Sequence, residues 1–440
     1  MSPGASDSAT SSTIARSITE SLRKLPAGHS FSVHVIQTSD HHVDSLTPRR
    51  RFSHFHSETT MSRRILILVS QGSVLVSGLE VHEFTSISVQ TSGAHRPHLA
   101  ASVAVDVCIE KIDTSGFLSA RMPLVKMLVA GYLQSLHRYH AATAVPTVGV
   151  HLFARAQPEY LFAKSQSNPS KHILDDLALV KWWQSALDYS IRYATHAEQD
   201  GGCVDNVAAH CVVPGSTASE APWFLGSDQH TTSNNTSDAD GTIGQYTESK
   251  PAAATNATTS PSIKWTWGLP YVSSARAHDC VLQFPDDPMT RLLYEPHSNS
   301  WSVSMLLEML AVSEECGSGR RAAYYSAALP VDNRQGSDSS SKIDGTAEQG
   351  SLSFDDYDKV LIALFDHDMD FSSHEAAVAS SKRFLEFISA NFNTPTIVID
   401  TAGKPVVKDT SDQKQQQQQQ QPAKVNDLTM IIRKKRKVAN

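Results

Sequence analysis

Cysteine is scarce and carries no pairing pattern. Cys108, Cys203, Cys211, Cys280 and Cys316 form no CxxC pair and no metal-ligand spacing, and their number is odd. That excludes a disulfide or zinc framework and predicts a reduced, intracellular chain. No apolar run approaches the ~18 residues a membrane span needs. The P-loop and the GxGxxG fingerprint are both missing, so ATP- or NAD-type phosphate binding has no support. Positive charge does not dominate: 38 Lys and Arg against 45 Asp and Glu leave a formal net charge of −7. A nucleic-acid coat is therefore not expected, and neither is sequence-specific nucleic-acid binding. Residues 1–12 are rich in Ser and Ala and have no apolar segment of the secretory kind, so they read as a disordered N-terminus.

Apolar residues make up 40% of the 440 positions, enough for a sizeable core. Alternation predicts strands at 31–37 and 145–153. Two β-branched runs, 64–70 and 74–84, flank Gln71-Gly72-Ser73 and predict a hairpin. Further strands are expected at 103–112, 265–269, 280–284, 322–329 and 396–400. Helical periodicity predicts helices at 13–24, 123–137, 173–195, 301–314 and 355–365. A capping box, Ser372-x-x-Glu375, opens another to about residue 392. Residues 38–62 read as loop. The stretch 196–263 reads as a polar disordered insertion broken by Trp223-Phe224, and 331–350 as a polar loop. A Gln-rich linker follows at 401–425. A last strand at 428–432 then precedes the bases of 433–437, a nuclear-import-like tail within 426–440. The expected architecture is α/β, with one large domain over 13–400: a mixed central sheet surrounded by helices, with disordered polar insertions.

The densest chemical signal is Phe284-Pro285-Asp286-Asp287-Pro288, with Arg291 three residues on. Each proline fixes its own φ and drives the preceding residue to extended conformation. Neighbouring side chains on an extended segment face opposite ways. One Asp can thus reach into a site while the other braces the loop; a solvated turn is the alternative. Lys171 and His172 precede the helix expected from 173, where the dipole favours an anion. Arg155 and Arg121 flank other elements; each is a phosphate-binding candidate or a plain surface cation. The acidic string 365–370 could be drawn as a metal cluster but sits at a helix end where solvated Asp is common. No metal is expected.

The Asp-Asp motif is preceded by L-F-A-R-A-Q-P-E-Y-L-F at 152–162, K-H-I-L-D-D at 171–176 and Lys181-Trp182-Trp183. This set, in this order, resembles the fungal regulator-of-Ty1-transposition family of histone H3 lysine acetyltransferases, distant structural relatives of the CREB-binding-protein acetyltransferases. The resemblance covers roughly residues 15–437, with gaps at the polar insertions. It implies acetyl-CoA as cosubstrate and a cofactor site built from Ile112, Asp113, Thr114, Arg121, Met122, Pro123, Leu124, Val125, Phe153, Gln157, Lys171, His172, Ile173, Leu174, Trp182 and Arg291. It implies that Asp287 accepts the proton and that Asp286 and Asp113 support activity. Tyr160 and Trp183 would wall the transfer point. The family pattern reads F-P-D-D-P-K-x-R, with a lysine acetylated on the enzyme itself; this chain has Met289 there. A neutral apolar side chain in place of acetyl-lysine would free activity from self-acetylation.

The resemblance further implies histone H3–H4 as substrate, with the core lysine of the H3 αN helix as target and tail lysines in addition. Histone chaperones would be partners, the setting nuclear, and the process replication-coupled nucleosome assembly and genome stability. A rival reading is a catalytically inactive nuclear scaffold of the same fold, for which Met289 and Val125 argue. A hydrolase using Asp286 and Asp287 as a pair is disfavoured. Adjacent residues are poorly placed to flank a bond across the ~5–9 Å such pairs span.

Overall fold

The computed structural model describes residues 4–47, 56–90, 100–141, 143, 145–195, 207–225, 230–232, 263–313, 316, 321–331, 351–394 and 396–403. Helix α1 (Gly4–Leu22) leads into β1 (Ser30–Gln37), β2 (His41–Val43), β3 (His56–Gln71) and β4 (Val74–Gln90). Then come β5 (Ala100–Thr114), α2 (Leu124–Ala141), β6 (Thr147–Arg155), α3 (Asp176–Ala194), β7 (Ala209–Val212), α4 (Ala221–Leu225), β8 (His230–Thr232) and β9 (Trp265–Trp267). The rest comprises α5 (Ala277–Cys280), α6 (Pro288–Leu293), α7 (Val303–Ala311), β10 (Ala322–Pro330), α8 (Phe354–Leu364), α9 (His374–Asn391) and β11 (Thr396–Asp400). The strands form one mixed sheet in the order β11-β1-β3-β4-β5-β6-β10-β7-β9-β8, with β2 on β3.

The run Ile65-Leu66-Ile67-Leu68-Val69 explains the layering. Ile65, Ile67 and Val69 join the core that holds α1, α2 and α3, whereas Leu66 and Leu68 join the core that holds α8 and α9. A strand covered on both faces reads as a continuous apolar run rather than as alternation. The β3–β4 hairpin closes through Gly72, whose φ of 59° suits a tight turn that most residues resist. β5 and β6 are parallel, and α2 supplies the crossover that parallel neighbours require. These two strands and β10 carry the site.

Several expectations need correction. The loop predicted for 38–62 contains β2 and the start of β3. α1 reaches back to Gly4, into the N-terminus expected to be disordered, extending a helix nucleated at its buried C-terminal end. The long helix starts at Asp176 rather than 173, because the Asp175 side chain caps it by accepting from Ala178 N. Ser373, not Ser372, caps α9, and Ser372 instead bonds Asp370. The short helix α5 and a loop replace the strand expected at 280–284. Within the supposed insertion, residues 207–225 fold into the core: Ala209, Cys211, Val212, Phe224 and Leu225 are buried. Their apolar residues are too few for a composition signal, but they fall on a short strand, Ala209–Val212, and on the helix Ala221–Leu225. Residues 230–232 of that stretch form β8; 196–206, 226–229 and 233–262, together with 332–350, the Gln run, the 428–432 strand and the basic tail, lie outside the described residues.

Candidate active site

The 284–291 segment turns as its prolines demand. Asp287 is extended (φ −80°, ψ 134°) and caps α6, with Pro288 in the first turn. Its Oδ2 accepts from Thr290 N at 3.1 Å and Thr290 Oγ1 at 3.2 Å. Asp286 takes a left-handed φ of 57°, which Asp tolerates better than most residues. That turn sends the two carboxylates apart. The Asp286 side chain is 86% exposed and pairs with Arg291 Nη1 at 2.7 Å; Asp287 is 8% exposed. Burial pushes the Asp287 carboxyl up to about 7, against the pull of the Thr290 hydrogen bonds and Arg291.

Asp287 lines a cavity of about 330 Å³. Its floor is strand: Cys108 to Lys111 of β5, His151 to Phe153 and Arg155 of β6, and Tyr324 to Ser326 of β10. Its cover is 269–271 and 281–291. Phe153 packs on Tyr324, ring centroids 4.6 Å apart. Phe284 lies against Phe84 and His151. Tyr160 donates its hydroxyl proton to the Arg155 carbonyl, and burial pushes its phenol up to about 12. The Arg155 Nε is buried with no hydrogen-bond partner among the described residues. A guanidinium left so suits an incoming carbonyl or phosphate oxygen. Gln157 also borders a shallower groove with Ile173, Leu174 and Arg321, which gives a long, partly apolar ligand a second stretch of wall.

Of the residues singled out in the sequence, Asp287, Asp286, Arg291, Tyr160, Phe153 and Gln157 meet at the cavity. Ile173 and Leu174 lie in the adjoining groove. Asp113 does not line either. Its Oδ1 is 2.7 Å from Lys171 Nζ, and its Oδ2 accepts from the backbone N–H of Tyr160, Leu161 and Phe162. Asp113 therefore positions Tyr160 through the backbone. Lys171 serves as its buried partner rather than as an anion site at a helix start. Ile112, Thr114 and His172 also lie off the cavity, as do Arg121, Met122, Pro123, Leu124 and Val125 at the start of α2. Trp183 is 2% exposed in the core with Trp182 edge-on at 4.9 Å, so neither walls the cavity.

Cys108, Glu110, Lys111, His151 and Tyr271 line the cavity without having been singled out. A signal was available for three of them. Val105, Val107 and Ile109 enter the core, so Asp106, Cys108 and Glu110 must face the other way. The same parity aims His151 away from Val150 and Leu152. The one described group of three close acidic and His ligands, Asp366, His367 and Asp368, is bridged by Arg383, which bonds both carboxylates at 3.3 Å.

The histone acetyltransferase KAT11-type domain matches residues 140–387. The histone acetyltransferase rtt109 of Aspergillus flavus is 26% identical over 307 residues, 61% of this chain and 48% of its own length. That of Schizosaccharomyces pombe (strain 972 / ATCC 24843) is 25% identical over 234 residues, 51% of this chain and 52% of its own. The chain thus spans about half the length of these curated relatives. The crystal structure of Rtt109 from Aspergillus fumigatus shares the fold, with a TM-score of 0.60 at 22% identity over 88% of this chain and 99% of that one.

Proposed function

The chain belongs to the KAT11-type histone acetyltransferase family, and from that premise we propose that it transfers acetyl from acetyl-CoA to a lysine of histone H3. The observation that carries this reading is Asp287: a buried carboxyl, held at about 7, on the wall of a cavity long enough to continue into a groove. An acceptor lysine arrives as an ammonium, with a solution pKa of about 10.4. Asp287 in its ionised form takes that proton. The free amine bonds to the thioester carbonyl carbon, the C–S bond breaks, and the coenzyme thiolate leaves as the thiol, taking the second proton that the nitrogen sheds as it becomes an amide. A carboxyl near 7 is matched to this task, ionised often enough to accept and basic enough to hold the proton. Phe153 and Tyr160 supply aromatic wall for the acetyl end, and Arg155 a donor for a cofactor oxygen. Ile173 and Leu174 offer apolar surface to the pantetheine arm.

The substrate reading extends to H3–H4 presented by histone chaperones, with the core αN-helix lysine and tail lysines as targets and replication-coupled nucleosome assembly as the setting. The acidic net charge and the basic run at 433–437 favour a basic partner and a nuclear address. The domain boundaries proposed with it are 13–400 for the catalytic domain and 401–440 for linker and tail. Labelled acetyl-CoA incubated with H3–H4, with and without a chaperone, tests the reading. Label on H3 supports it; bound acetyl-CoA without transfer shifts the balance to the inactive scaffold.

Met289 gives a second test. It is 8% exposed, packs in the main core and lines the cavity. A cation introduced there enters a wall that also holds Asp287 and Glu110, and its field favours the ionised Asp287 and weakens it as a proton acceptor. Met289→Arg is expected to lower kcat about tenfold or more, and Met289→Leu to stay near wild type. If unmodified Met289→Lys turns over as fast as wild type, neutrality at this position is not the requirement.

A further inference from the structure

One cavity residue heads a chain of polar groups that leads away from the substrate side. Glu110 on β5 places Oε1 3.2 Å from His82 Nδ1 on β4. The other ring nitrogen, Nε2, meets the Ser62 hydroxyl on β3. The order Ser-His-Glu has the outline of a hydrolytic triad, but the burial runs backwards. Ser62 is 1% and His82 5% exposed, and only Glu110 reaches the cavity. A nucleophile cannot be the sealed member, so the array acts through its carboxylate end.

The surroundings of Glu110 favour an anion that stays an anion. Burial opposes its charge. The His82 hydrogen bond, with Lys111 and Arg64 behind it, outweighs that and holds the carboxyl below its usual range. Lys111 does not neutralise it directly. Its Nζ is 3.8 Å from Glu110 but 2.7 Å from Glu80, which also takes Arg64 at 3.0 Å. Glu110 and Asp287 line the same cavity, and after burial both push the Cys108 thiol upward, so both fields converge on one patch of wall. The two carboxyls differ in kind: Asp287 sits where a proton can come and go, Glu110 where charge is fixed by a hydrogen-bonded base.

We propose that Glu110 is a second substrate-facing carboxylate of this cavity, which binds the acceptor lysine as its ammonium while Asp287 takes the proton, and that His82 backed by Ser62 positions it. The inference rests on the acetyltransferase reading and names how that site selects a cationic acceptor. Glu110 keeps its charge throughout and forms no bond. His82 and Ser62 are positioning residues. Glu110→Asp preserves the charge and Glu110→Gln preserves the shape.

Calorimetric binding of an H3 peptide, and of the same peptide with norleucine at the acceptor position, separates the outcomes alongside turnover. Glu110→Gln is expected to weaken the lysine peptide about tenfold, the size of one lost hydrogen bond to a charged group. Norleucine peptide affinity and the acetyl-CoA KM should stay unchanged. Glu110→Asp recovers most of the loss, and Ser62→Ala falls between. A merely structural role would weaken both peptides together, and that result, or equal lysine-peptide binding by wild type and Glu110→Gln, overturns the proposal. Because binding needs no turnover, a folded wild type that binds lysine peptide through Glu110 yet transfers nothing sinks the acetyltransferase reading alone.

Discussion

Asp287→Asn is expected to slow acetyl transfer about 10²–10⁴-fold, the range typical for loss of a general base, while the protein becomes more stable above neutral pH. Asn is as good a helix N-cap as Asp, so α6 keeps its start. What disappears is the proton acceptor. In wild type, kcat/KM should rise with pH through an apparent pKa of about 7 as the carboxyl ionises. The variant should lack that limb.

The stability change has the opposite sign, and linkage gives the reason. The folded-state pKa is raised from 3.8 to about 7, so the folded protein holds a proton that the unfolded chain has released. The contribution of the protonated group is fully present below about 3.8 and is lost as pH rises through about 7. Above that, wild type keeps a buried carboxylate ionised at a cost on the order of 4 kcal/mol. Asp287→Asn removes the cost. Urea unfolding at pH 5 and pH 8 checks it: the wild-type midpoint should fall between the two, and the variant's should not. Equal midpoint shifts in both proteins would remove Asp287 as the source.

The second large effect lies off the cavity, at Asp113 and Lys171. Both side chains are nearly sealed, 6% and 5% exposed. Lys171 Nζ also donates to Ser165 Oγ at 2.7 Å, and Asp113 ties three successive N–H groups of the 160–162 turn. Gly116 makes the close approach possible. With φ at +86°, an added Cβ there would stand 2.9 Å from Lys171 Cα. Lys171→Met is expected to cost about 3–5 kcal/mol, because it strands a buried carboxylate. Denaturant midpoints measure that loss. Transfer assayed well below the new midpoint should recover to within about tenfold of wild type. Asp113→Asn should behave alike. An Asp113→Asn protein of wild-type stability but without turnover would return Asp113 to the chemistry.

Residues 284–291 show how far local rules reach. Two prolines predicted an extended Asp287, and it is extended; Asp286 instead leaves the extended region at a φ of 57°, so a left-handed turn rather than strand parity sends the two carboxylates apart. Parity in β5 did carry the orientation of Cys108 and Glu110, unused because a half-buried strand offers no mark of which face meets a cavity. Trp182 and Trp183, assigned through the family resemblance, do not line this cavity: they belong to α3, which packs on the core side of β10, where Tyr325 donates to the Val180 carbonyl at 2.6 Å.

Chain order and residue type alone determined the α/β class, most of the strands and the extended Asp287, because φ preferences and side-chain periodicity are local properties. Partnership was decided by the fold. Asp113 and Lys171 lie 58 positions apart, and Ser62, His82 and Glu110 sit on three strands whose register sets which side chains meet. The desolvation that lifts Asp287 comes from β5, β6 and the 281–291 cover closing on one cavity, and no local pattern encodes that closure.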